Sequence, residues 1–129
     1  MKVAFATTDG IHVDEHFGRA GMFQIYEFTK DEYASLGARV FAEGRDEAVE
    51  STKGLGAAHE LAVEDKVEKL SDCRIVYMTS IGGPSAARLS RKGMMPVKAV
   101  DGSVIEELAM GLMETIRTSP PPWLRKLVV

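Results

Sequence analysis

The chain opens on a short apolar run, Val3-Ala4-Phe5-Ala6, closed by Thr7-Thr8 and the turn pair Asp9-Gly10. This short apolar run, ended by a turn signal, predicts a first strand across residues 2–8. Residues 22–29 follow with Phe23, Ile25 and Tyr26, a β-prone segment ending at Lys30-Asp31. Residues 33–42 read as a weaker third strand, interrupted by Gly37. Short connections between these three predict antiparallel neighbours. Residues 44–56 are polar and glycine-bearing, the composition of a loop. Residues 57–70 carry Leu61, Val67 and Leu70 near helical spacing, with Lys66, Lys69, Glu64, Asp65 and Glu68 assigned to the solvated faces.

The second half alternates strand and helix. Residues 73–79 form a buried-type strand, Ile81-Gly82-Gly83-Pro84 turns into a helix over 85–91 that Gly93 stops, and residues 95–100 give a fifth strand. Ser103 is placed as the N-cap of the last helix with Glu106 as its capping-box partner. Ile105, Leu108, Leu112 and Ile116 form that helix's apolar stripe. The segment 119–129 contains Pro120-Pro121-Pro122-Trp123 and cannot start as a helix. Such alternation favours parallel pairing. The expected fold is α/β: one domain over residues 1–118 with a C-terminal tail over 119–129, built on a mixed, roughly five-stranded sheet flanked by helices.

Composition narrows the function. A chain of 129 residues is one domain, and a net charge of −3 argues against the basic stripe of a nucleic-acid binder. No basic start leads into an apolar signal region, and no stretch approaches the roughly 18 apolar residues of a spanning helix. The expectation is a cytoplasmic monomer that binds neither membrane nor nucleic acid. One cysteine, Cys73, and three histidines, His12, His16 and His59, cannot supply the four thiolates of a resident iron–sulfur cluster. They can hold a preassembled cluster through one or two bonds.

Two segments carry candidate chemistry. Asp14-Glu15-His16-Phe17-Gly18 follows the first strand, with His12 four residues earlier, and neutral imidazole is a common metal ligand. The alternative is a solvated loop histidine. The turn Ile81-Gly82-Gly83-Pro84-Ser85 follows a strand and opens a helix, whose free N–H groups attract anions. Ser80, Ser85 and Arg88 add donors and charge there. The turn lacks the endings of a P-loop or a dinucleotide fingerprint, and its alternative is a tight turn with no ligand. Ligands of open α/β sheets bind at the carboxyl ends of strands, so parallel neighbours would bring both loops to one pocket. A metal ligand beside an anion-stabilising helix end suits a negatively charged metal cluster better than a bare cation.

Cys73 starts its strand at the opposite end, either as a small buried residue or as a ligand. His59 reads as a surface helix position. Asp9, Asp14 and Glu15 are solvated carboxylates or a divalent-ion cluster. Met94, Met95, Met110 and Met113 read as core-filling residues. No serine or cysteine is flanked by a recognisable base and acid, so catalysis is not expected.

The opening Met1 to Gly10, the Asp14-Glu15-His16-Phe17-Gly18 run, the Cys73 strand leading into Ile81-Gly82-Gly83-Pro84-Ser85-Ala86-Ala87-Arg88, and the tail Pro120-Pro121-Pro122-Trp123-Leu124-Arg125-Lys126 together resemble the nitrogenase iron–molybdenum cofactor biosynthesis proteins. The Pro-Pro-Trp tail narrows the resemblance to the small carrier type. The resemblance implies a ribonuclease H-like α/β fold without enzymatic activity. It also implies a transient cargo, the iron–sulfur precursor cluster made by NifB and handed to the NifEN scaffold. His16 inherits the cluster-holding role, with His12 and Cys73 as further candidate metal ligands on which the resemblance bears less. Gly82, Gly83 and Ser85, with Arg19 and Arg88, are expected to offset the cluster's charge. The tail reads either as a docking segment or as a strap packed onto the domain by Trp123. Two other functions stay open: an interaction module that binds no metal, and a small metal-dependent hydrolase.

Overall fold

The first apolar run becomes the middle of a sheet. In chain order the computed structural model contains β1 (Lys2–Ala6), β2 (His12–Val13), β3 (Met22–Phe28), β4 (Tyr33–Val40), α1 (Gly56–Lys69), β5 (Cys73–Met78), α2 (Gly83–Arg91), β6 (Met95–Lys98), β7 (Ser103–Val104), α3 (Ile105–Thr118) and α4 (Pro122–Arg125). It describes residues 1–41 and 56–128, and the side chains of 1–41 and 63–128. The loop expected over 44–56 therefore lies outside the described residues, except for Gly56, which opens α1.

The main sheet has the order β4-β3-β1-β5-β6. β1 pairs antiparallel with β3 (Lys2↔Glu27 to Ala6↔Phe23), and β3 pairs antiparallel with β4. β5 runs parallel to β1, and β6 parallel to β5. The mixed five-stranded sheet is the one the sequence led us to expect. Gly37 interrupts β4 by a bulge: Ile25 faces Gly37 but Tyr26 faces Ser35, leaving Leu36 unmatched, and Gly37 takes φ 98°. Glycine reaches that left-handed conformation without a Cβ clash.

Successive residues of β1 serve opposite faces, which is why the run is apolar throughout. Ala4 and Ala6 join Phe17, Phe23, Val63, Val67, Val76 and Leu89 in a core beneath α1 and α2. Val3 and Phe5 join Tyr26, Phe28, Ile75, Ile105, Ala109, Met113 and Leu124 in a second core beneath α3 and α4. The buried stripe of α3 is Ile105, Ala109, Met113 and Ile116, with Leu108 and Leu112 half-buried beside it. Its register is thus rotated from the expected one. Met113 and Met94 fill core, but Met110 is 58% exposed and Met95 is 40% exposed, which corrects the assignment of all four to the interior.

The expected capping box does not form. Ser103 lies in β7, its Oγ donates to Val100 O at 2.6 Å, and α3 begins at Ile105 behind Val104 with no side-chain cap. Neither two-residue strand was foreseen. β7 pairs antiparallel with β2, and the Ile105 amide donates to Ile11 O at 2.8 Å. A tertiary contact thus satisfies an amide of the first turn, and the Ser103 amide, which the capping box would give to Glu106, donates to Val100 O at 2.9 Å. Glu106 instead accepts hydrogen bonds from Tyr26 Oη at 2.8 Å and Tyr33 Oη at 2.7 Å, clamping α3 to the antiparallel strands. Burial, and then the Glu106 carboxylate, push the Tyr26 hydroxyl up to about 12.

The tail folds back as well. After Ser119 to Pro121 it forms α4, burying Leu124 and Val128 in the second core with Trp123 packed against it. Trp123 therefore straps the tail to the domain. Arg39 ties edge strand β4 to the α1–β5 turn through both Asp72 carboxylate oxygens at 2.7 Å, and this pairing holds the Asp72 carboxyl down at about 2. Among the described residues no helix is long and apolar enough to cross a membrane.

Candidate functional site

Because β1 and β5 are parallel neighbours, the chain leaves both at the same sheet edge. After β1 the loop is built from its own polar side chains. Asp9 accepts from the Ile11 amide at 2.8 Å and the His12 amide at 2.9 Å, and its Oδ2 lies 2.7 Å from His12 Nδ1. Asp residues commonly bind backbone a few positions ahead in this way. His12 first, then the amides, hold the Asp9 carboxyl far below the usual carboxylate range. Asp14 accepts from the Thr8 amide at 2.8 Å and Thr8 Oγ1 at 2.5 Å. Two of the three loop carboxylates are therefore occupied in shaping the loop. Among the described residues no three His, Cys, Asp or Glu side chains converge on a metal-sized site.

The next residues lie along the end of β5. The Thr79 amide donates to Glu15 O at 3.0 Å, and the Phe17 amide donates to Ser80 O at 2.9 Å. A turn then closes as the Arg19 and Ala20 amides both donate to His16 O, at 3.1 and 3.0 Å. Phe17 is fully buried, its ring centroid 5.9 Å from that of Phe23. His16 is exposed, and its Nδ1 is hydrogen-bonded to Ser80 Oγ. The two candidate loops thus meet at His16 and Ser80.

Lys66 supports the turn from below. Assigned to a solvated face, it is instead 1% exposed on α1, and its Nζ donates to Phe17 O at 2.9 Å and Gly18 O at 3.1 Å. The ammonium also sits 5.4 Å from the Phe17 ring centroid. Buried lysines persist when their charge is paired or hydrogen-bonded, and here the loop carbonyls do this. The signal was present in the spacing: Lys66 follows Val63 by three residues and precedes Leu70 by four, and both are buried.

Gly82 is the N-cap of α2 in extended conformation, with no side-chain cap, and the Ala86 amide donates to Gly82 O at 2.9 Å. Pro84 occupies the first turn as expected. The amides of Gly83 and Ser85 belong to the helix positions that have no intrahelical acceptor. A Cβ on Gly83 would meet nothing within 4 Å, so no crowding demands glycine at that position. Arg19 lies on the rim of a depression of about 220 Å³ with Thr7, Thr8 and Glu15. Arg88, by contrast, turns to α1 and pairs with Glu64 at 3.7 Å.

The structure separates Cys73 from the two loop histidines. Cys73 stands opposite Lys2 at the other end of the sheet, about 20 Å from Thr79 at roughly 3.3 Å per strand residue. It lies away from the His16 loop, at the opposite end where its place at the start of the strand puts it. It is fully buried, and burial pushes its thiol up to about 11. Iodoacetamide at neutral pH is therefore expected to leave Cys73 unmodified in the folded protein and to alkylate it once denaturant is added. Mass spectrometry reads both states, and rapid native alkylation would contradict the burial. His59 falls within α1, and its side chain lies outside the described residues.

Comparison with known proteins bears on the chain as a whole. The family described as dinitrogenase iron-molybdenum cofactor matches residues 1–114. The chain is 34% identical over 128 residues to the protein NifX of Rhodobacter capsulatus, covering 99% of this chain and 77% of that one. It is 32% identical over 126 residues to the protein NifX of Herbaspirillum seropedicae, covering 98% and 80%. The crystal structure of PH0822 superposes with a TM-score of 0.63 over 95% of this chain and 99% of that chain, at 17% identity, a likeness of fold alone.

Proposed function

We propose, for a chain that belongs to the dinitrogenase iron-molybdenum cofactor family, that it is a non-enzymatic carrier of an iron–sulfur precursor of the iron–molybdenum cofactor. Its role lies in nitrogenase cofactor biosynthesis. In this reading the chain accepts the cluster from NifB and releases it to the NifEN scaffold. The observation that carries the proposal is the junction of the two strand-end loops, where exposed His16 stands against Ser80 next to the open start of α2.

That junction suits a transient anionic cargo. One imidazole bonds one iron, whereas four thiolates would hold a cluster as a resident group. The partial positive charge at the start of α2 attracts the cluster's negative charge. The Lys66 ammonium beneath the loop and Arg19 at the rim add to it. Gly82 and Gly83 would present backbone rather than bulk to the cargo, and Ser85 would add its amide and hydroxyl. A hydrolase would need free carboxylates at these strand ends, and Asp9 and Asp14 are bound to backbone amides.

Anaerobic titration with the isolated precursor cluster, followed by visible absorption and iron content, tests the reading. Wild-type protein is expected to take up the cluster stoichiometrically. His16→Ala is expected to lose more affinity than the about 10- to 100-fold typical of groups that merely support a ligand. Uptake by neither protein would favour a metal-free interaction module in the same assembly system. Equal uptake by both would move the iron ligand away from His16.

A further inference from the structure

We propose that Ser80 is a positioning residue for His16: its hydroxyl accepts the Nδ1–H and so fixes the imidazole in the tautomer that leaves the Nε2 lone pair for iron. The inference rests on the carrier reading, in which His16 bonds the cargo.

The argument starts from the backbone. The hydrogen bonds from the Thr79 amide to Glu15 O and from the Phe17 amide to Ser80 O hold residues 15–17 in fixed register with residues 79 and 80. That register brings the side chains of His16 and Ser80 together across 64 residues of sequence. The turn bonds onto His16 O and the Lys66 ammonium on Phe17 O and Gly18 O remove the remaining freedom of the loop. His16 is therefore exposed yet held at its backbone and at one ring nitrogen. Among the described residues its Nε2 has no protein partner.

Which nitrogen carries the proton of a neutral imidazole is set by the hydrogen bond at the other. Histidine in water carries it mainly on Nε2, where it would block metal bonding at the exposed nitrogen. A hydroxyl that accepts from Nδ1–H reverses the preference. Metal-binding histidines use carboxylates, carbonyls or water for the same purpose, and removing such a partner typically costs about 10- to 100-fold in metal affinity. The serine hydroxyl supplies the acceptor without a charge, so the loop gains no further negative group to repel an anionic cargo.

The test separates tautomer from cargo. In metal-free protein with labelled histidine at about pH 8.5, where an ordinary imidazole is neutral, nitrogen NMR reads the proton's position on His16. Wild type and Ser80→Thr are expected to show Nδ1–H. Ser80→Ala is expected to shift the ring to predominantly Nε2–H while the backbone amide spectrum keeps its folded dispersion. Titration with the isolated precursor cluster should then show about 10- to 100-fold weaker uptake by Ser80→Ala and restoration by Ser80→Thr. An Nε2–H proton in wild type, or an unchanged tautomer in Ser80→Ala, overturns the assignment. So does unchanged uptake after a tautomer shift. If wild type takes up no cluster while the tautomer shifts as expected, the carrier reading fails and Ser80's hold on the ring stands.

Discussion

Lys66→Met is expected to destabilise the protein by about 2 kcal/mol and to raise amide exchange across residues 16–20. The methionine keeps most of the buried stem's volume but removes the ammonium that donates to Phe17 O and Gly18 O. A buried acceptor left without its donor costs about 1–3 kcal/mol. Two acceptors lose theirs here, and the relief of no longer burying a charge offsets part of the total. Urea unfolding reads the stability and hydrogen exchange reads the loop. The two readouts are needed together, because a core residue unconnected to the loop would change the first alone. Unchanged exchange at residues 16–20 would mean that the bonds to Thr79 and Ser80 hold the turn without help from α1.

Phe17→Ala is expected to cost more, about 3–5 kcal/mol, the range for removing a large aromatic side chain from a core. Phe17 is fully buried, with its ring beside Phe23 and beneath the Lys66 ammonium. His16→Ala, one residue away, should change stability by less than about 1 kcal/mol, since it gives up one exposed hydrogen bond. Neighbouring residues thus divide two tasks: Phe17 anchors the loop and His16 faces the solvent. Denaturation midpoints of the two variants measured side by side decide it. Equal losses would show that His16 is part of the packing and would weaken its reading as a cargo ligand.

Much of the frame could be read from the sequence because it rests on patterns longer than one turn or one pleat. The apolar runs at β1 and β5 announce strands, and their ends locate the His16 loop and the Gly82-Gly83 turn. That the two strands are parallel neighbours was a condition of the reading, and the structure supplies it. What escaped rests on single residues or very short pairings. β2 and β7 are two residues each, too short for any period to show. Ser103 next to Glu106 satisfies the capping-box spacing, but the β7 pairing had already engaged that segment. Lys66 looked solvated because a lysine is usually charged and exposed, and the turn carbonyls of another segment that help make its burial tolerable leave no mark in the local pattern. Ser80 carries no signature of its own: a hydroxyl gains its role from the imidazole that the fold brings to it. Arg88 looked like a cargo contact by its place after the glycine turn, yet Glu64 on the neighbouring helix takes it.

The order of the strands also sets a timetable. β1, β3 and β4 form an antiparallel meander complete by residue 40, whereas the partners that secure His16 come 49 to 64 residues later in the chain, for Phe17 with Lys66 and for His16 with Ser80. Contacts between distant residues form after local ones because the closing loop loses more entropy. A ribosome therefore releases the His16 loop well before Ser80, its partner in the fold. During synthesis the exposed histidine has neither its Ser80 partner nor the lysine beneath its turn, so the proposed cargo site is complete only once β5 has docked beside β1.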